Sequence, residues 1–183
     1  NKENVAVDPM EQLATVINDA FDKNGCLLIP AFAVGRTQSL LFYIRKLIEL
    51  KKIPSVPVYV DSPMAINVTA LYQRHNDFHT IKPSDTIYNS VFEFPNLNYY
   101  RSQADSVQIN NIRSHAIIIS SSGMCNGGRI LHHLYHRLPR PNDTVLFAGY
   151  QAEGTRGRAS HCSKSPEHGC VSRGALLAGA LRT

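Results

Sequence analysis

Three stretches of this 183-residue chain set glycine, arginine or small hydroxyl side chains at the end of an apolar run. In Leu28-Ile29-Pro30-Ala31-Phe32-Ala33-Val34-Gly35-Arg36-Thr37-Gln38 the run breaks at Gly35 and Arg36, just ahead of an amphipathic stretch. Val58-Tyr59-Val60-Asp61-Ser62-Pro63-Met64 and Ile117-Ile118-Ile119-Ser120-Ser121-Ser122-Gly123-Met124 follow the same plan. The chemistry this suits is the holding of an anion. The first N–H groups of a helix lack partners and sit at the positive end of its dipole, glycine lets backbone approach a ligand, and arginine adds a bidentate contact to phosphate. Arg36, Gln38, Ser62, Ser122 and Gly123 are therefore the candidate phosphate contacts, with Gly35 shaping the first junction. Three such junctions predict one composite site. A plainer reading also fits each one singly: glycines at strand–helix turns supply positive φ, and a first-turn arginine pairs with a neighbouring carboxylate.

Other residue types at these junctions carry less. Asp61, the one carboxylate among them, reads as a hydrogen-bonding partner of a helix start rather than an acid or base. His132 and His136 share a helix face at a spacing of four, but no third ligand or Glu-x-x-His pattern accompanies them, so a solvated face is expected rather than a metal site. No catalytic and no metal-binding residue is assigned to the chain.

The elements that must position these residues follow from periodicity. Asp8-Pro9-Met10-Glu11 predicts a helix start, with Asp8 as N-cap, Pro9 in the first turn and Glu11 closing a capping box. Met10, Leu13, Val16, Ile17, Ala20 and Phe21 then recur at helical spacing until Asn24-Gly25. Cys26 to Phe32 is a continuous apolar run, as a strand covered on both faces requires. A helix is predicted from about Arg36 to Glu49, a strand over Val56 to Val60, and a helix capped by Ser62 that runs to about Arg74. The stretch from His75 to Asn111 is less regular, with a Pro83-Ser84-Asp85 turn and a short strand near Asn98-Tyr99-Tyr100. Beyond it come a strand His115 to Ser120, a helix from about Gly128 to Leu138 and a strand Thr144 to Tyr150. Strands alternating with helices imply right-handed crossovers and an α/β fold: three layers, a mainly parallel sheet, helices on both faces. Ligands of such folds bind at the carboxyl ends of the strands, where all three junctions fall.

Length and composition fit one compact unit with a core of its own. Lys and Arg exceed Asp and Glu by 19 to 14, a net charge of +5 that favours a polyanionic partner. No apolar run approaches the roughly 20 residues of a membrane span, and no signal-peptide pattern is present. The four cysteines suit a reducing compartment, Cys26 and Cys125 as small buried hydrophobes. The chain opens on Asn rather than Met, as a piece of a longer protein would.

Taken in order, Ile29 to Gln38, Val58 to Ala65, Ser121-Ser122-Gly123-Met124 with Gly127-Gly128-Arg129, and Phe147-Ala148-Gly149-Tyr150-Gln151-Ala152-Glu153-Gly154-Thr155-Arg156-Gly157 closely resemble the β-CASP cap domain. Caps of this Rossmann-like kind belong to metallo-β-lactamase-fold nucleases of RNA, and the four motifs stand in register over residues 9 to 158. The resemblance implies a cap inserted into a metallo-β-lactamase domain, with RNA passing between the two. It adds Arg156 to the residues nearest RNA and Glu153 to the junction residues. It also implies two zinc ions in the parent protein that activate water for phosphodiester hydrolysis, and none in this chain. The His-x-His-x-Asp-His zinc motif is absent here, so the chain by itself is expected to be inactive. Location follows from the parent: cytoplasmic in a bacterium or archaeon, nuclear in a eukaryote. Oligomerisation and the choice between internal and terminal cleavage stay open.

The pattern breaks after Arg158. Where the family continues as Ala-Leu-Leu-x-Gly-Ala, this chain reads Ala159 to Gly174 before Ala175-Leu176-Leu177-Ala178-Gly179-Ala180, as an insertion or a change of reading frame would leave it. We therefore expect a cap over 1–158 and a divergent, partly irregular tail over 159–183, with a C-terminal helix from about 174. Within the tail, His161, Cys162, His168 and Cys170 match no zinc-ribbon or finger spacing, and a polar loop is the expectation. Two other functions compete with the nuclease cap. A relative that has lost its zinc ligands would serve as a scaffold in an RNA-processing complex, and a free-standing nucleotide-binding domain would need the G-x-G-x-x-G fingerprint this chain lacks.

Overall fold

The computed structural model of the chain describes residues 8–74 and 92–162, the side chains of 160–162 excepted. Five strands form one parallel sheet in the order β3-β2-β4-β1-β5. They are β1 (Leu27–Pro30), β2 (Val58–Asp61), β3 (Leu97–Tyr99), β4 (Ile117–Ser120) and β5 (Thr144–Val145). Between and around them run α1 (Pro9–Asp22), α2 (Arg36–Glu49), α3 (Pro63–Arg74), α4 (Gln103–Ile109), α5 (Ile130–Arg137) and α6 (Arg156–Cys162).

Alternation along the strands divides the core in two. Leu27, Ile29, Val58, Val60, Ile117 and Ile119 pack against Leu13 and Ile17 of α1, Leu40, Leu41, Ile44 and Leu47 of α2, and Ala65 and Ile66 of α3. Leu28, Ile118 and Val145 point the other way, onto Ile109 of α4 and Ile130 and Leu134 of α5. Helices α1 to α3 thus cover one face and α4 and α5 the other. That is the expected three-layer α/β fold.

Local differences have physical causes. Asp8 caps α1 by accepting the Met10 N–H at 3.1 Å, but the Glu11 carboxylate meets the Lys52 ammonium of the α2–β2 loop instead of turning back to close a box. Helix α5 starts at Ile130, two residues later than periodicity suggests, because Gly128 stands at φ 79°. β5 pairs over only two residues, although the Leu146 N–H still reaches the Leu28 carbonyl at 2.9 Å. Leu146, Phe147 and Ala148 are buried as a loop, so their apolar character reflects packing rather than pairing. Helix α4 lies in the stretch that periodicity left irregular. α6 runs across the boundary drawn at residue 158. The Pro83-Ser84-Asp85 turn, His168, Cys170, the side chains of His161 and Cys162, and the helix from about 174 lie outside the described residues.

Candidate functional site

Neighbouring strands β1 and β4 are followed by helices on opposite faces of the sheet, α2 on one and α5 on the other. A parallel sheet opens a crevice at the carboxyl ends of such a strand pair, and ligands of doubly wound folds bind there. The residues from Phe32 to Arg36 form one lip of that crevice and the loop from Ser121 to Gly128 the other.

The first lip is a tight turn held from within. The Thr37 N–H and hydroxyl both donate to the Phe32 carbonyl, at 3.2 and 2.8 Å. Gly35 takes φ 75°, a left-handed conformation that costs glycine little, and α2 begins behind it with no side-chain cap. Arg36 is the first residue of that helix. Its Nη1 is buried without a hydrogen-bond partner, and no carboxylate pairs with it among the described residues. Burial lowers its pKa, with Tyr43 acting weakly in the other direction. A partly desolvated, unpaired guanidinium at an uncapped helix start is an electrostatic deficit that a bound anion would relieve.

The second lip is bonded to nearly everything around it. The Ser122 N–H donates to the Gly127 carbonyl, and the Ile130 N–H to that of Ser121, both at 3.2 Å. Ser122 Oγ accepts the Asn126 N–H at 3.2 Å. A Cβ at Gly128 would stand 2.3 Å from the Ser121 carbonyl oxygen, so the loop closes only on glycine. From the β5 exit, Gln151 Nε2 donates to the Gly123 carbonyl at 2.9 Å, while the N–H groups of Arg156 and Gly157 reach Asn126 Oδ1 at 3.2 Å and the Met124 carbonyl at 3.0 Å. Asn126 in this way meets the start of α6.

Below the loop, Asp61 is fully buried and forms the hub of a polar network. Its Oδ1 accepts Arg129 Nη1 at 2.6 Å, and its Oδ2 accepts Ser106 Oγ at 2.6 Å and His133 Nε2 at 2.7 Å. Arg129 Nη1 also donates to the Tyr100 carbonyl at 3.2 Å, and Nη2 to the Arg101 carbonyl at 2.6 Å. Burial works to raise the Asp61 carboxyl, but the bonds from His133, Ser106 and Arg129 together outweigh it and hold the group below its ordinary value. The carboxylate therefore joins the ends of β2 and β3 to α4 and to the residue that opens α5. Its partners lie on α4, on α5 and at the residue before α5, not at the start of α3. The start of α3 is capped instead by Ser62, whose Oγ accepts the Ala65 N–H at 3.2 Å.

The candidates separate into two groups. Gly35, Arg36 and Gly123 lie at the crevice: a Cβ on Gly123 would lie 2.9 Å from the Phe32 ring, and one on Gly149 3.9 Å from Arg36 Nε. Ser122 belongs to the second lip, which the Arg156 backbone N–H meets through Asn126 Oδ1. Gln38 and Ser62 sit behind it, buried. Gln38 Nε2 donates to Thr69 Oγ1 at 2.8 Å and the Ala33 carbonyl at 3.2 Å, so it ties the turn to α3. Glu153 is exposed beside Gly154 in the loop before α6. His132 and His136 stand exposed on α5, and the buried histidine of that helix is His133. Residue type alone missed Gln151, Asn126, Arg129 and His133. Among the described residues no group of three or more His, Cys, Asp or Glu is placed to hold a metal, and Cys125 is buried, its thiol pushed up to about 12. No helix among them is long and apolar enough to cross a membrane.

Residues 37–159 match the Beta-Casp domain family. The chain is 34% identical over 147 residues to the RNase J-like protein of Methanocaldococcus jannaschii, a match covering 80% of this chain and 33% of that protein. It is 30% identical over 152 residues to ribonuclease TTHA0252 of Thermus thermophilus, covering 82% and 35%. It is 32% identical over 156 residues to transcription termination factor FttA of Methanosarcina mazei, covering 82% and 24%. The chain thus spans only about a quarter to a third of the length of these relatives. A three-layer parallel sheet with its junctions gathered at one crevice, and a family match over most of that sheet, lead to one statement: the chain belongs to the Beta-Casp domain family.

Proposed function

We propose that this chain is the RNA-holding cap of a metal-dependent ribonuclease, and that bond cleavage falls to parts of the longer protein that this chain does not span. The observation that carries the reading is Arg36: an unpaired, partly desolvated guanidinium at an uncapped helix start, on the lip of a crevice between β1 and β4. The net charge of +5 and the similarity to a ribonuclease and an RNase J-like protein support an RNA backbone as the anion. Arg36 and Arg156 supply charge. Ser122 and Gly123 supply a loop that brings backbone close to phosphate. Gln38, Ser62 and Asp61 act one layer back, holding those groups in place.

Two zinc ions are proposed for the parent, where they would polarise the phosphodiester and activate water. The described residues of this chain do not fit such a centre, so no step of hydrolysis is assigned to them. Binding of single-stranded RNA over a salt series tests the proposal. Arg36→Ala is expected to weaken binding and to reduce the slope of log K against log salt by roughly 0.7, the value for one phosphate contact to a single strand. The same affinity and slope in variant and parent chain would refute it.

A further inference from the structure

Large apolar side chains of a lone domain are mostly buried, yet Phe32, two residues past β1, is 41% exposed and Tyr150, five residues past β5, is 65% exposed. Phe32 is not loose. Its carbonyl is fixed by both donors of Thr37, and its ring lies over Gly123, where any side chain would collide with it. A Cβ at Gly149 would touch the same ring at 4.0 Å and Arg36 Nε at 3.9 Å. Glycine at both flanking strand exits therefore keeps the ring clear of its neighbours and beside the unpaired guanidinium. Tyr150 follows directly on Gly149.

A rigid, exposed aromatic next to a bare cation matches the two halves of a nucleotide. Bases stack on aromatic faces without regard to sequence, while phosphate meets the charge. A protein surface seated on Phe32 would need a carboxylate placed for Arg36 as well, and an RNA strand brings its own phosphate. We propose that Phe32 and Tyr150 form a stacking platform for unpaired bases of the RNA whose phosphate Arg36 holds. This rests on the RNA-holding reading above.

The test uses a ten-nucleotide RNA carrying 2-aminopurine, single-stranded or annealed to its complement, at low salt. Phe32→Leu and Tyr150→Leu keep apolar bulk and remove the π face; Tyr150 is exposed enough that its replacement leaves the fold intact. Each is expected to bind the single strand about tenfold more weakly, an effect equivalent to about 1.4 kcal/mol, with the salt slope unchanged. The fluorophore should be quenched by the parent chain and less so by the variants, and duplex should bind more weakly than single strand. Leucine variants that bind and quench like the parent chain would overturn the platform and assign the aromatic surface to another domain of the longer protein. If Arg36→Ala still weakens binding in that case, the RNA-holding reading survives. Failure of the parent chain to bind either RNA would sink both.

Discussion

Asp61 on β2 and His133 on α5 stand 72 residues apart in sequence and meet at 2.7 Å between Oδ2 and Nε2, both side chains fully buried. With Arg129 on the other oxygen, this contact anchors the first turns of α5, which begins behind Gly128, beneath the Ser121–Gly128 loop. The lip of the crevice is set by a carboxylate that no ligand is expected to touch.

Asp61→Ala would leave His133 without its acceptor and Arg129 without its counter-charge. Breaking a buried pair by removing one partner costs about 3–5 kcal/mol, and urea unfolding should show a loss of that order. Asp61→Asn, which keeps shape and an acceptor, should lose less.

The same carboxylate predicts a dependence on acid. Its folded pKa lies below the ordinary 3.8, so near that pH the folded chain binds fewer protons than the unfolded one. Its stabilisation is complete above the unfolded value and is lost as pH falls through the lower folded value. Urea midpoints measured downward from about pH 5 should fall more steeply in the parent chain than in Asp61→Asn. Parallel curves would contradict the network.

Adjacent glycines give a matched pair. Gly128 combines φ 79° with a Cβ position 2.3 Å from the Ser121 carbonyl oxygen, whereas a Cβ at Gly127 meets nothing within 4 Å. Gly128→Ala should destabilise the chain by more than about 1 kcal/mol and weaken RNA binding through the displaced loop. Gly127→Ala should stay within about 0.5 kcal/mol. Thermal unfolding of the two side by side decides it.

At the opposite edge of the sheet, buried Arg137 pairs with Asp143 at 2.9 Å, and Asp143 also accepts the Cys26 N–H at 2.8 Å. Asp143→Ala should cost about 3–5 kcal/mol while RNA affinity of the folded fraction stays unchanged. A matching loss of affinity would argue that binding extends to the amino edge.

What the sequence discloses, and what it hides, follows from range. The strands β1, β2 and β4 are legible because a strand buried on both faces must be apolar throughout, as Leu27 to Pro30 and Ile117 to Ser120 nearly are. Helix α2 is legible from Leu40, Leu41, Ile44 and Leu47. Helix α4 buries only Ser106 and Ile109 and shows no period, although Ser102 followed by Asp105 is a cap signal: Ser102 Oγ accepts the Asp105 N–H at 3.0 Å. The site is legible as three junctions, because glycine, arginine and small hydroxyl residues at strand ends mark backbone turns. Its bonding is not. Which histidine of Leu131 to Arg137 turns inward depends on the pairing of β2 with β4, which brings Asp61 beside Ser120. Nothing local to α5 records that.

Where RNA sits on the sheet can be read by amide hydrogen exchange with and without a saturating single-stranded oligoribonucleotide. Added protection is expected over residues 32–38, 121–128 and 149–157, with no change around Gly25, His115 and Asn142 at the amino edge. Protection at the amino edge, or none at the carboxyl edge under saturating RNA, would contradict this placement.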